Sequence, residues 1–244
     1  MAPASSTWFL RPPATDAQWR LFCLPYSGCG ASMFRAWPER IGPVEIVPLQ
    51  LPFRENRMRE RHFGSYEQLA DDLVEAIAGW LDRPYGVFGH CGGALPAFET
   101  VLRIDERGLP APERCFVSSQ VAPQDGPYGR FLGLDSGQLR VELLGLLAAL
   151  GAQQPSEDML DLVLEVLEAD LAANRRYHKE KVTTVSCPLT AIGWDNDVEV
   201  PHELMGGWSA WGQVDKHVLA GVHYTFLQAP AELQELLRRE LTGA

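Results

Sequence analysis

Lysine is almost missing from this 244-residue chain: Lys179, Lys181 and Lys216 are its only three. With 21 basic residues against 32 acidic ones the net charge is −11, so the long-range field repels nucleic acid and anionic lipid, and neither is expected as a partner. No uninterrupted apolar run approaches the roughly 18 residues that a membrane helix needs. The opening stretch, MAPASSTWFLRPP, lacks the basic start and apolar core of an export signal. The five cysteines (Cys23, Cys29, Cys91, Cys115, Cys187) form no C-x-x-C pair and no His/Cys cluster of zinc spacing, which argues against a disulfide framework and a metal site. A reducing, cytoplasmic setting and no resident cofactor are expected. Internal repeats and Pro-, Gly- or Ser-rich linkers are also missing, so the reading is one domain over 1–244, acting as a monomer. A chain this long buries enough surface to fold without staples.

What is present alternates. Short β-rich stretches, Arg20 to Leu24, Val44 to Leu49, Tyr85 to Phe88, Arg114 to Ser118 and Leu189 to Gly193, are separated by segments of helical period, with a possible short strand at His217 to Leu219. Tyr66 to Leu81 puts Leu69, Leu73, Ile77 and Trp80 on one face. Leu95 to Ile104 and Glu232 to Leu241 are the other helices of the layer. Strand and helix in turn predict a mostly parallel sheet flanked by helices on both faces. The alternation breaks over 129–178, which holds two amphipathic helices, Gly137 to Leu150 and Glu157 to Tyr177. Ser156 is the expected N-cap of the second, with Glu157 and Asp158 favouring its dipole. A helical insertion between two strands is a candidate lid.

The chemistry concentrates in Pro84-Tyr-Gly-Val-Phe-Gly-His-Cys-Gly-Gly-Ala94. A strand ends in Gly89-His90-Cys91-Gly92-Gly93 and a helix follows, which is the G-x-S-x-G nucleophile elbow with Cys in the serine position. Glycines two before and two after let strand and helix pack closely around a strained nucleophile. The helix start aims free N–H groups and the positive end of its dipole at Cys91, which favours an anion there and supplies an oxyanion donor at Gly92. The base is expected at His223, in a glycine-led loop after the last strand; His217 is a weaker rival, and His90 should point away from the turn. The acid follows an apolar strand, at Asp197 in preference to Asp195, which suits a turn. A second oxyanion amide is expected from the loop Leu24-Pro-Tyr-Ser-Gly-Cys-Gly30, with Ser27, Gly28 and Cys29 as candidates.

With these residues in place the chain resembles a family. LPYSGCGAS, Pro48-Leu-Gln-Leu-Pro-Phe-Arg-Glu-Asn-Arg57, the helix with Leu69-Ala-Asp-Asp-Leu, PYGVFGHCGGALPAFE, Phe116-Val-Ser-Ser with Ala122-Pro123, Leu167-Glu-Ala-Asp170 and GVHYTFL together are similar, in order, to the type II thioesterases, stand-alone α/β-hydrolases of polyketide and nonribosomal peptide assembly lines. The resemblance implies an α/β-hydrolase fold in which 129–178 is the lid, with Cys91 as nucleophile, His223 as base and Asp197 as acid. The implied reaction removes acyl groups from the phosphopantetheine arm of a carrier protein, so that the substrate brings the pantetheine and the enzyme needs no cofactor. The departures are local. The family has Ser then Met-Gly at the elbow where this chain has Cys91-Gly92-Gly93. It has His-Ala-Gly-Gly where this chain has Tyr26-Ser27-Gly28-Cys29, and a Gly where Phe53 stands. An acyl-Cys91 is itself a thioester and stays activated, so transfer to an amine or a second carrier thiol competes with hydrolysis as the expected outcome. A carrier-binding module without chemistry is the remaining alternative. Because carriers are commonly acidic, Arg54, Arg57, Arg59 and Arg61, four arginines beside two glutamates, are the expected docking patch.

Overall fold

The structure, a computed structural model, describes residues 7–149 and 156–244. Seven strands form one sheet: β1 (Trp19–Leu24), β2 (Arg40–Ile41), β3 (Val44–Pro48), β4 (Tyr85–His90), β5 (Arg114–Ser118), β6 (Leu189–Trp194) and β7 (Val214–Leu219), in the order β2-β3-β1-β4-β5-β6-β7. Every neighbouring pair is parallel except β2 with β3. The mostly parallel sheet read from the sequence is therefore formed. Its two-residue antiparallel edge is too short to register as a pattern. β4 and β6 are buried along their whole length, as strands covered on both faces must be.

The period of two along a strand splits the core into two layers. On β1, Phe22 and Leu24 join one apolar cluster, while Leu21 and Cys23 join the other; β4 divides Val87 from Phe88 in the same way. The first layer is covered by α1 (Tyr66–Ile77) and α2 (Ala94–Glu106), which offer Leu69, Leu73, Phe98 and Val101. The second is covered by α5 (Ala231–Thr242) and by the insertion, α3 (Ser136–Ala149) and α4 (Glu157–Arg176). Ser65 caps α1 by accepting from Gln68 N, and Ser156 caps α4 by accepting from Met159 N. The expected end of α3 at Leu150 lies outside the described residues. Among the described residues no helix is long and apolar enough to cross a membrane.

The parallel arrangement places the C-terminal ends of β1, β4, β5 and β6 along one rim of the sheet. The loops that leave these ends carry Ser27, Cys91, Gln120 and Asp197, and the α3–α4 insertion lies over them.

Candidate active site

β4 ends at His90, and Cys91 opens the turn into α2 with φ of 47°, a left-handed conformation that a residue with a side chain adopts only at a cost. Gly89 makes the turn possible, because a Cβ there would lie 2.1 Å from Gly93 O. The result is a half-buried cysteine held at the tip of a sharp bend, with the first turn of a helix behind it.

His223 begins a short 3-10 turn after Gly221 and is buried. Its Nδ1 lies 2.8 Å from Asp197 Oδ2. The other oxygen of Asp197 accepts from Glu199 N and Val200 N, both at 2.9 Å, so the carboxylate cannot turn away from the ring. Burial raises the Asp197 carboxyl, but the His223 bond outweighs it and holds it below the usual 3.8. On the ring itself burial disfavours the imidazolium. The charge of the Cys91 sulfur and the bond to Asp197 more than reverse this and raise His223 from 6.5 to about 10. The ring therefore sits between the Cys91 sulfur and a carboxylate that fixes its orientation.

The rival residues have other partners. Asp195 is exposed and accepts from Gly221 N at 2.8 Å, tying the acid loop to the base loop. His217 lies on β7, 3.6 Å from Glu240. His90 is buried beneath the site, 2.8 Å from Ser118 Oγ and stacked on Phe226 at 3.7 Å, and its burial holds it well below 6.5. It packs the floor.

The four oxyanion candidates separate into two pairs. Gly28 N donates to Asp170 Oδ2 at 2.8 Å, and Cys29 N donates to Tyr26 O at 3.0 Å. One amide is taken by α4 and the other by the loop's own backbone, which corrects the expectation for Gly28 and Cys29. Among the described residues, Ser27 N and Gly92 N donate to no acceptor, and they lie against each other: a Cβ on Gly92 would stand 3.1 Å from Ser27 N.

The docking expectation also changes. Arg54 is 2% exposed, and its two terminal nitrogens grip Asp170 of α4 at 2.8 Å each, while His62 Nε2 meets the same carboxylate at 2.8 Å. Burial raises Asp170, but Arg54 and His62 together bring it from 3.8 down to about 2. Arg57 is buried too and binds Gln50 O and the Glu60 carboxylate. Neither arginine can reach a partner. Arg59 and Arg61 are exposed.

Sequence reasoning missed three further residues. Gln120 reaches Cys91 O at 3.4 Å, and Tyr26 packs edge-on to His223 with ring centres 5.9 Å apart. Glu199 places a carboxylate oxygen 3.7 Å from His223 Nε2. Gln120 and Glu199 belong to no motif, Tyr26 stood in the LPYSGCGAS loop without a role, and only the meeting of loops from different strands brings the three together. With Cys91, Phe131 and Leu171 they line a cavity of about 30 Å³, room for one or two waters. A roomier cavity of about 440 Å³, lined by Trp37, Glu45 and Pro48, contains none of these residues.

A parallel sheet, a residue at positive φ after its central strand, and a histidine–carboxylate pair beside it are the arrangement of an α/β-hydrolase. Residues 19–241 match the thioesterase domain family, and the chain belongs to that family. It is similar to the gramicidin S biosynthesis protein GrsT of Aneurinibacillus migulanus, 29% identical over 240 residues that cover 96% of this chain and 93% of GrsT. It is 32% identical to the thioesterase PikA5 of Streptomyces venezuelae over 207 residues, 84% of this chain and 74% of PikA5. The solved structure of RedJ, a thioesterase from the prodiginine biosynthetic pathway in Streptomyces coelicolor, superposes with a TM-score of 0.78 at 34% identity, covering 98% of this chain and 94% of RedJ.

Proposed function

We propose that this protein is a single-domain thioesterase serving a nonribosomal peptide or polyketide pathway, and that it works through an acyl-Cys91 intermediate. The observation that carries the reading is Cys91, strained at φ of 47°, beside a His223 whose Nδ1 is held 2.8 Å from buried Asp197. The Cys91 sulfur attacks the carbonyl carbon of an acyl-pantetheine thioester. The carbonyl oxygen takes the charge and is met by Ser27 N and Gly92 N. Collapse breaks the carbon–sulfur bond to pantetheine, and the leaving thiolate takes the proton from His223. His223, now neutral, then draws a proton from water, which attacks the acyl-Cys91 and releases the acid. Asp197 holds the ring in one tautomer throughout.

GrsT and RedJ carry gramicidin S biosynthesis and the prodiginine biosynthetic pathway in their names, which supports a carrier-borne substrate here. Phe131 and Leu132 before α3, and Leu171 and Asn174 on α4, close the cavity over Cys91 to about 30 Å³. An acyl group therefore enters as the 129–178 lid shifts. Cysteine itself supports a second reading: transfer from acyl-Cys91 to an amine or another carrier thiol keeps the activation of the thioester up to the moment of transfer, whereas an acyl-serine ester has already lost it.

The test is intact-mass spectrometry of the protein mixed with an acyl-carrier thioester. An adduct that is absent in Cys91→Ala, followed by free acid, supports the hydrolase. Adduct without acid until an amine or a second carrier is added supports the transferase. No adduct and no acid, with carrier still bound, leaves a binding module.

A further inference from the structure

We propose that the Ser27 hydroxyl is a third donor to the oxyanion formed at Cys91, and that position 92 is glycine to leave it room. The proposal rests on the reading of Cys91 as the nucleophile and concerns how the same site carries the charge of the tetrahedral intermediate.

The two residues share one space. A Cβ on Gly92 would lie 1.9 Å from Ser27 Oγ and 2.9 Å from Ser27 Cβ, so the hydroxyl sits where a side chain after the nucleophile would otherwise begin. Ser27 is 8% exposed, and what it exposes is the wall of the cavity that Cys91 and Gly92 also line. Among the described residues its hydroxyl has no hydrogen-bond partner. The hydroxyl is not sealed in the core but faces the cavity, where it is free to turn toward a charge that appears in front of it. The neighbouring amides of Gly28 and Cys29 are committed to Asp170 and Tyr26 O, so of the amides at 27–29 only that of Ser27 is left for a reacting carbonyl, with the Ser27 hydroxyl beside it.

When the Cys91 sulfur bonds to the thioester carbon, the π pair moves onto oxygen, and that oxygen lies between the Cys91–Gly93 turn that leads into α2 and the Ser27 loop. Gly92 N donates from one side and Ser27 N from the other, and the hydroxyl rotates to give the third bond. The chemistry needs no further reactant, because the pair returns to the carbonyl as pantetheine thiol leaves with the His223 proton.

The experiment compares two reactions of the same sulfur. Acylation by an acyl-pantetheine thioester builds an oxyanion; alkylation by iodoacetamide displaces iodide and does not. In Ser27→Ala, acylation followed by intact mass under single turnover should slow about 10- to 100-fold, the scale of losing an oxyanion donor, with alkylation unchanged. Gly92→Ala should show the same loss, since its Cβ expels the hydroxyl. The double variant should lose little more than either single one, because both remove one bond. Unchanged acylation in Ser27→Ala overturns the proposal. Equal slowing of acylation and alkylation overturns it too, by showing that the hydroxyl acts on the sulfur. Normal acylation with slow release of the acid assigns the hydroxyl to water instead and also overturns it. Loss of the wild-type adduct in Cys91→Ala checks the underlying reading separately.

Discussion

The carboxylate of Asp170 joins α4 to the loop that carries Ser27, and replacing it with asparagine should be the most damaging conservative change outside Cys91, His223 and Asp197. Four donors converge on its two oxygens: Gly28 N, both terminal nitrogens of Arg54, and His62 Nε2. The substituted amide would keep the shape but remove the charge, and its own N–H₂ would face donors. The Arg54 side chain is 3% exposed and has no route to water, so its cation stays buried without a counter-charge. Breaking a buried pair in this way costs about 3–5 kcal/mol. For a domain of this size that lowers the melting temperature by roughly 6–20 °C, at about 2–4 °C per kcal/mol. Differential scanning calorimetry of Asp170→Asn at pH 7 measures it. Acid adds a second arm. Asp170 is depressed from 3.8 to about 2, so its contribution is complete above pH 3.8 and fades as pH falls through 2. The gap between wild type and variant should therefore narrow between pH 4 and 2. A melting shift below about 2 °C at neutral pH, less than the smallest loss expected from a broken buried pair, or a gap constant with pH, would refute the reasoning.

Alkylation of the native protein by iodoacetamide near neutral pH should give one adduct, at Cys91, by peptide mapping. Burial raises Cys29 and Cys187 to about 12 and Cys23 and Cys115 well above 9, so modification of a second cysteine before unfolding contradicts the structure. His223 is raised from 6.5 to about 10, so the stability it contributes is full below pH 6.5 and lost as pH rises through 10. Urea unfolding of wild type should show that decline and Cys91→Ala a shallower one, since Cys91 is one cause of the shift; identical slopes would deny that Cys91 acts on His223. Reversing Arg59 and Arg61 to glutamate should raise KM for an acidic carrier several-fold through lost charge complementarity, while leaving a free acyl-pantetheine substrate unaffected. An unchanged carrier KM moves docking to another face.

Why some of this could be read from residue order and some could not is physical. Strands buried on both faces are runs of apolar residues, so β1, β4, β5 and β6 lay open to reading, and the elbow lay open because its glycines answer contacts within five residues, Gly89 against Gly93 O. Asp197 separated from Asp195 on the same grounds, since a turn needs one short polar side chain and a histidine needs another. The arginines show the limit. Arg54, Arg57, Arg59 and Arg61 look alike in sequence, yet two are buried and two exposed. Arg54 is sorted by a carboxylate 116 residues away on α4, and Gly28 N by the same carboxylate at a separation of 142. Local pattern carries information about local contacts only. Arg54 and Gly28 are sorted by that one distant carboxylate, whereas Arg57 is held by Gln50 O and Glu60, and Cys29 N by Tyr26 O in its own loop. Since Asp170 takes Gly28 N and Tyr26 O takes Cys29 N, Ser27 N is the amide of 27–29 left uncommitted beside Gly92 N, and α4, which lines the cavity, settles one of those two commitments from 142 residues away.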